Sequence, residues 1–440
     1  MPSGEESRDT IAAVATPPGR GGIGVVRVSG PRAQNIAEQV TGRVPRPRVA
    51  TLAGFKDKHG VPIDEGIALY FPGPDSYTGE DVVELQGHGG PVVMGMLLSA
   101  CLDAGARIAE PGEFTRRAFL EGRLDLAQAE AVADLIDASS QEAARSALRS
   151  VSGEFSAAID ALRRQLVELR ALTEAQLDFP EEELDGVHRD DAANRLTGVQ
   201  AALDDVLARS RQGSLLRSGV HVVLAGPPNV GKSSLLNRLA GEERAIVTPI
   251  PGTTRDALRE SIHVDGVAVV LVDTAGLRES GDELEKLGMA RTQSELQRAD
   301  VVVAVHDATG DSLTAPAAAA GADRIDVYNK ADLRPGFAPP AGAIAVSAKT
   351  GQGMGDLRAA IARAAGWSST GESVFLARER HLRALAAAKG HLARAAAEKG
   401  RWELFAEELR LAHDELSAIT GAFTADELLG EIFGRFCIGK

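Results

Sequence analysis

Gly226-Pro227-Pro228-Asn229-Val230-Gly231-Lys232-Ser233 follows the apolar run Val222-Val223-Leu224 and leads into Ser234-Leu235-Leu236, the opening of a helical pattern. A strand, a glycine-rich turn and a helix in that order make a P-loop. The glycines let backbone N–H groups turn inward around a β-phosphate, Lys232 meets β- and γ-phosphate oxygens as a point charge, and the Ser233 hydroxyl can ligate magnesium (Mg2+). Downstream, Pro251-Gly252-Thr253-Thr254 offers the metal a second hydroxyl. Asp273-Thr274-Ala275-Gly276 follows another apolar run and offers a carboxylate and a γ-phosphate-sensing glycine. Asn329-Lys330-Ala331-Asp332 closes a further run. There Asp332 can accept two N–H donors of guanine while Asn329 reaches the other edge of the base, and adenine would leave the carboxylate unpaired. Ser347-Ala348-Lys349 backs the base. Each later element is weak alone, but in this order the set specifies a guanine-nucleotide hydrolase that takes GTP with Mg2+.

Outward from the P-loop, strands at His221–Leu224, Ala268–Val272, Val301–Val305, Ile325–Tyr328 and Ala343–Val346 alternate with helical stretches, which predicts a parallel, doubly wound, Ras-like sheet. The flanks have a different texture. Phe119 to Leu177 is almost free of proline, with apolar residues at three-and-four spacing, and a further helix spans Asp190–Arg209 after the loop Phe179–Glu183. Gln212-Gly213-Ser214 reads as a linker, and helical texture resumes from Phe375 to about Phe436. Near the start, short strands (Ile11–Val14, Gly24–Ser29, Gly66–Phe71, Asp81–Leu85) and one helix, Val92–Ala104, describe a compact α/β domain. The expectation is an α/β multidomain protein: an N-terminal α/β domain at 1–118, a helical domain at 119–215 plus 373–440, and an inserted P-loop GTPase domain at 216–372. Alanine-rich Thr314–Ala322 reads as a surface helix or loop.

Composition agrees with several domains, since 440 residues exceed one ordinary core. Apolar runs such as Val301–Val305 fall far short of the ~20 residues that span a bilayer, and Met1–Thr10 is polar and acidic with no apolar region behind it. A cytoplasmic protein without membrane contact is expected. Two cysteines, Cys101 and Cys437, exclude a disulfide framework and a multi-cysteine zinc site. A net charge of −14 argues against a general nucleic-acid coat, so nucleic acid would be met by a local patch or through a partner.

The residue after Asp273-Thr274-Ala275-Gly276 is Leu277, where Ras-like enzymes carry a water-orienting Gln. Another group must position water, and spacing does not choose among Glu279, Asp282, Glu283 and Glu285. No arginine finger is identifiable, and Asn229 can help hold a monovalent cation in its place.

Further motifs lie outside the nucleotide set: Ala15-Thr16-Pro17-Pro18-Gly19-Arg20-Gly21-Gly22; Gly79-Glu80-Asp81 with Gln86-Gly87-His88-Gly89-Gly90; Pro111-Gly112-Glu113-Phe114 with Arg116-Arg117-Ala118-Phe119; and terminal Cys437-Ile438-Gly439-Lys440. With these the chain resembles, across essentially its whole length, the MnmE (TrmE) family of tRNA-modification GTPases. The resemblance implies a homodimer that forms a heterotetramer with an FAD-containing MnmG (GidA)-type flavoprotein. That complex would build a carboxymethylaminomethyl group at C5 of wobble uridine 34 in certain tRNAs. It implies a tetrahydrofolate-binding-like N-terminal domain that also dimerises, with a 5-formyl or methylene tetrahydrofolate derivative held by positions matching Arg27, Glu84, Arg123 and Lys440. The family more typically has lysine at position 123; arginine keeps the charge but changes the donor geometry. It further implies Mg2+ at Ser233 and Thr254, and potassium (K+) at Asn229, Thr248, Ile250 and Thr253 in a nucleotide-binding loop that includes Pro249. Glu285 becomes the water-orienting acid, beside Lys232, and Cys437 becomes a functional thiol.

Blander readings stand beside these. Gly19-Arg20-Gly21-Gly22-Ile23-Gly24 matches G-x-G-x-x-G but precedes a strand, which argues against NAD. Without the resemblance, Arg27 and Glu84 read as solvent-facing strand residues and Cys437 as an inert thiol near a frayed end. Two rival functions are a GTPase switch in ribosome assembly, whose Era-like domains lack these flanks, and a stand-alone folate-dependent one-carbon transferase, for which residues 1–118 offer no acid/base pair.

Overall fold

A computed structural model describes residues 9–178, 185–242, 259–264, 267–273, 294–310, 322–367, 374–398, 401–422 and 426–439. Its strands are β1 Ile11–Val14, β2 Gly21–Ser29, β3 Thr51–Lys56, β4 Pro62–Phe71, β5 Val82–Gly89, β6 Arg107–Ile108, β7 Val220–Ala225, β8 Arg259–Val264, β9 Val267–Asp273, β10 Val301–Asp307, β11 Asp323–Asn329 and β12 Ile344–Ala345. The helices used below are α1 Ala33–Thr41, α2 Pro91–Asp103, α3 Glu113–Leu120, α4 Leu126–Ile136, α5 Gln141–Val151, α6 Glu154–Asp178, α7 Asp185–Ser218, α8 Lys232–Glu242, α9 Met354–Ala364, α10 Glu379–Ala397, α11 Trp402–Thr420 and α12 Asp426–Gly434. Two compact units emerge, Met1–Ala133 with Ser417–Lys440, and Asp134–Leu416.

The first unit holds a six-stranded sheet in the order β3-β4-β5-β2-β1-β6. Strand alternation puts Val26, Val28, Val83 and Leu85 against α1 and α2 on one face, and leaves Arg27 and Glu84 on the other. Neither α1 nor β3 stands out in the sequence. The apolar positions of α1, Ile36 and Val40, sit among Asn, Gln and Glu just after Pro31, and β3 is interrupted by Gly54; packing on the sheet decides both. Helix α12 joins this unit by seating Leu429, Ile432 and Phe433, with Phe436 just beyond its end, against Leu126 and Ala129 of α4.

Two of the quoted motifs prove to be one ion-pair network at the start of α3. The Glu113 carboxylate accepts from Arg107 Nη1 (2.8 Å), Arg117 Nη2 (2.9 Å) and the Glu110 amide (2.8 Å). Arg117 also bonds Glu80 Oε2 (3.0 Å) and Asp9 Oδ1 (2.7 Å). Burial pulls the Glu113 carboxyl upward, but Arg107, the Glu110 amide and Arg117 outweigh it and hold the group below the usual carboxylate range.

The second unit carries the other sheet, β12-β11-β10-β7-β9-β8, parallel except for β8, which runs antiparallel to β9. This is the Ras-like doubly wound arrangement the sequence predicts. Val301, Val303 and Val305 of β10 pack against α8 and α9, and Ala143 and Ala147 of α5 share this core. One expectation is corrected here. Gln212-Gly213-Ser214 is no linker, because α7 runs unbroken to Ser218. A Cβ on Gly213 would stand 1.8 Å from the Phe375 carbonyl oxygen, so this glycine serves close packing rather than a break. The Arg209 guanidinium lies 4.0 Å over the Phe375 ring beside it. Compactness thus groups the chain differently from the composition-based division into 1–118, 119–215 plus 373–440, and 216–372. Among the described residues no helix is long and apolar enough to cross a membrane.

Candidate active site

Parallel pairing brings distant motifs to one sheet edge, the carboxyl ends where such folds bind ligands. The P-loop leaves β7, Asp273 closes β9 in register with Leu224, and Asp307 closes β10 opposite Asn329, the last residue of β11.

The P-loop has a defined backbone. Asn229 adopts φ 65° and Gly231 φ 92°, and a Cβ on Gly231 would meet Asn329 Nδ2 at 2.3 Å, so only glycine fits there. Lys232 is 4% exposed and donates to the carbonyls of Gly226 (3.0 Å) and Pro227 (2.8 Å), which holds the ammonium inside the loop. Ser233 and Ser234 follow on the first turn of α8.

The base-reading loop is braced against the P-loop. Asn329, 2% exposed, donates from Nδ2 to the Val230 carbonyl (2.9 Å) and accepts from the Ala348 amide at Oδ1 (3.1 Å). These two bonds brace the base-reading turn to the P-loop; they use one of the two amide hydrogens and one lone pair, so the brace is compatible with the expected reach to guanine. Lys330, at φ 65°, donates to the Asn229 carbonyl (2.8 Å) and to Asp307 Oδ2 (2.6 Å). Burial raises the Asp307 carboxyl, but Lys330 and the Thr309 donors outweigh it and leave the group below its ordinary value. Asp307 was missed from sequence, although it ends an apolar strand as Asp273 and Asn329 do. Asp332 lies in the turn Ala331–Leu333, half-buried, and no described residue bonds its carboxylate. Ser347 Oγ accepts from the Thr350 amide (3.1 Å), tightening the turn that carries Ala348 and exposed Lys349. Thr248–Thr254, Thr274–Gly276, Glu279, Asp282, Glu283, Glu285, 314–321 and Lys440 lie outside the described residues.

In the first unit, Arg27 and Glu84 are register partners on β2 and β5. Arg27 Nη2 and Nε reach Glu84 Oε1 at 2.9 and 3.1 Å, with side chains 23% and 19% exposed. The Arg27 guanidinium lies 5.3 Å from the Tyr77 ring and 5.7 Å from the Phe114 ring. The solvent-facing reading of this pair is therefore corrected: it is a part-buried ion pair bordered by aromatic rings. No described residue bonds Glu84 Oε2. Arg123, 43% exposed, packs its stem beside Gly79 and faces Asp75 at 4.0 Å, and makes no hydrogen bond or ion pair with Arg27 or Glu84. The terminal segment is laid against the same unit. The Cys437 carbonyl accepts from the Gly112 amide (3.3 Å), Ile438 bridges Pro111, and a Cβ on Gly439 would stand 2.4 Å from the Val14 carbonyl oxygen. Cys437 is exposed, whereas burial pushes the Cys101 thiol up to about 12.

A doubly wound sheet with a phosphate-cradling loop and a guanine-reading turn braced to it defines a P-loop GTPase. Family models described as "GTP-binding protein TrmE N-terminus" and "MnmE helical domain" match residues 10–123 and 126–437. The tRNA modification GTPase MnmE of Azoarcus sp. (strain BH72) is 60% identical over 98% of either chain, and that of Thiobacillus denitrificans is 58% identical over the same shares. The chain belongs to the MnmE (TrmE) family of tRNA modification GTPases. The cytosolic domain of the T. maritima FeoB iron transporter in GDP form aligns over 45% of this chain and 96% of that one, at 19% identity and a TM-score of 0.25.

Proposed function

We propose that this chain is the potassium-stimulated GTPase of a cytoplasmic homodimer. With a MnmG (GidA)-type FAD partner it adds a carboxymethylaminomethyl group at C5 of wobble uridine 34 of certain tRNAs. The supporting observation is one chain carrying both a braced guanine-nucleotide site and a part-buried Arg27–Glu84 pair whose unit also receives the terminal segment. In hydrolysis, Lys232 neutralises charge on the β- and γ-phosphates, and Glu285 orients the attacking water. Ser233 and Thr254 would hold Mg2+, a hard cation suited to hydroxyl oxygens, which supplies further charge neutralisation. Asn229, Thr248, Ile250 and Thr253 would hold K+. The fit rests on Asn229, an exposed residue at positive φ whose side-chain amide has no partner among the described residues.

The division 1–118, 119–215 plus 373–440 and 216–372 remains our proposal for how these tasks are parcelled. In the first part, Arg27, Glu84, Arg123 and Lys440 would bind a 5-formyl or methylene tetrahydrofolate derivative. Glu84 Oε2 suits the adjacent N–H donors of a flat heterocycle, and the partly exposed Tyr77 ring beside Arg27 suits its face.

The test is the cation. Hydrolysis should run faster in potassium than in sodium at matched ionic strength, and Asn229→Ala should erase the difference. An arginine finger is worth roughly 10³ to 10⁵ in rate, so a cation acting in its place should leave a large effect. Equal rates in both salts would transfer suspicion to Arg255 or Arg278.

A further inference from the structure

The chain passes between the nucleotide-binding sheet and the helices twice, once from α7 into β7 and once through residues 374–378 into α10. Both passages meet one carboxylate. Asp134, in the last turn of α4, is 8% exposed. Its Oδ1 accepts from Nε of Arg217, the penultimate residue of α7, at 3.0 Å, and from Nη2 of Arg378, the N-cap of α10, at 2.8 Å. Its Oδ2 accepts from Arg378 Nε at 3.2 Å. The two passages are also packed on each other through Gly213 and Phe375, and Ser146 Oγ donates to the Val374 carbonyl at 2.9 Å.

A buried carboxylate between two guanidinium groups contributes little net stability, because desolvation offsets attraction, but it fixes geometry, since losing one partner strands buried charge. None of the three residues belongs to the P-loop or the base-reading turn. We propose that Asp134 is a positioning residue that fastens both passages into one hinge. Movement of the sheet during the GTP cycle is then delivered to the helices as a single displacement instead of being lost in two independent connections. Its role is to couple hydrolysis to tRNA modification, and to that extent it rests on the function proposed above.

The test uses the full-length chain with Asp134→Asn, which keeps the size and removes the charge, and Asp134→Glu, which keeps the charge. The kcat and KM for GTP should stay within about twofold of the parent, while wobble-uridine modification falls about tenfold or more in the Asn variant and is rescued in the Glu variant. Spin labels at Asp356 of α9 and Glu403 of α11, both exposed, should report a narrow distance distribution in the parent and a broad one in Asp134→Asn, whatever the tRNA result. An unchanged distribution, or wild-type modification by the Asn variant, overturns the proposal. So does a parallel fall of hydrolysis and modification with a lowered melting temperature, which would make Asp134 merely structural. Failure of the parent itself to modify tRNA would instead count against the proposed function, and the label distances would still decide on the hinge.

Discussion

Replacing Asp332 by Asn is expected to remove GTP as a substrate at limiting concentration and to admit xanthosine triphosphate. The residue sits in a turn held in place by the Ala331 amide on the Val346 carbonyl (3.0 Å), and no described group bonds its carboxylate. That carboxylate is thus left to the ligand. Guanine offers it two N–H donors, and hydrogen bonds to a charged group are worth about 1.5 to 3 kcal/mol each, so the substitution should cost roughly 3 kcal/mol or more, or about a hundredfold in affinity. Xanthine carries an oxygen where guanine carries its amino group, and the Asn amide can donate to it. Nucleotide titrations of the two proteins against both triphosphates measure this directly. Unchanged hydrolysis of limiting GTP would contradict the assignment.

Removing Cys437 to Lys440 should spare GTP hydrolysis and abolish wobble-uridine modification. A terminal segment stays ordered only where binding repays its conformational entropy, and here the Gly112 amide, Pro111 and Val14 receive it. Gly112 is also the N-cap of α3, and Phe114 on that helix borders Arg27, so the tail supports the strand pair as well as presenting the thiol. The milder Cys437→Ser keeps the docking and removes a nucleophilic thiolate, which separates chemistry from position. Loss of modification by the Ser variant with normal hydrolysis would place the thiol in the chemistry. Full modification by both variants would exclude any role for the tail.

The nucleotide half was legible because its signals are local. Four of the five strands marked there lie within β7, β9, β10 and β11, since apolar runs ended by Gly, Asp or Asn state both the strand and the functional residue at its tip. β8 escaped notice because its Arg, Glu, Ser and His suit an edge strand and hide the alternation. Gly213 misled because a glycine chosen for close packing looks, in sequence, like one chosen to break a helix. The bracing role of Asn329 was invisible, since Val230 and Ala348 become its neighbours only once the sheet has formed. In the N-terminal unit, the ion-pair network on Glu113 joins residues from Asp9 to Arg117, and no spacing rule connects them. Family resemblance singled out Arg27 and Glu84, and register alone explains why they meet.

The central claim is that GTP turnover by this chain drives modification of tRNA. The most direct test is mass spectrometry of the wobble uridine in tRNA from a strain deleted for the endogenous protein and complemented with this chain or with its Lys232→Ala variant. The parent chain should restore the carboxymethylaminomethyl group on uridine 34, and the Lys232→Ala variant, which loses the ammonium held in the P-loop, should leave the position unmodified. Full restoration by Lys232→Ala, or none by the parent chain, would contradict the claim.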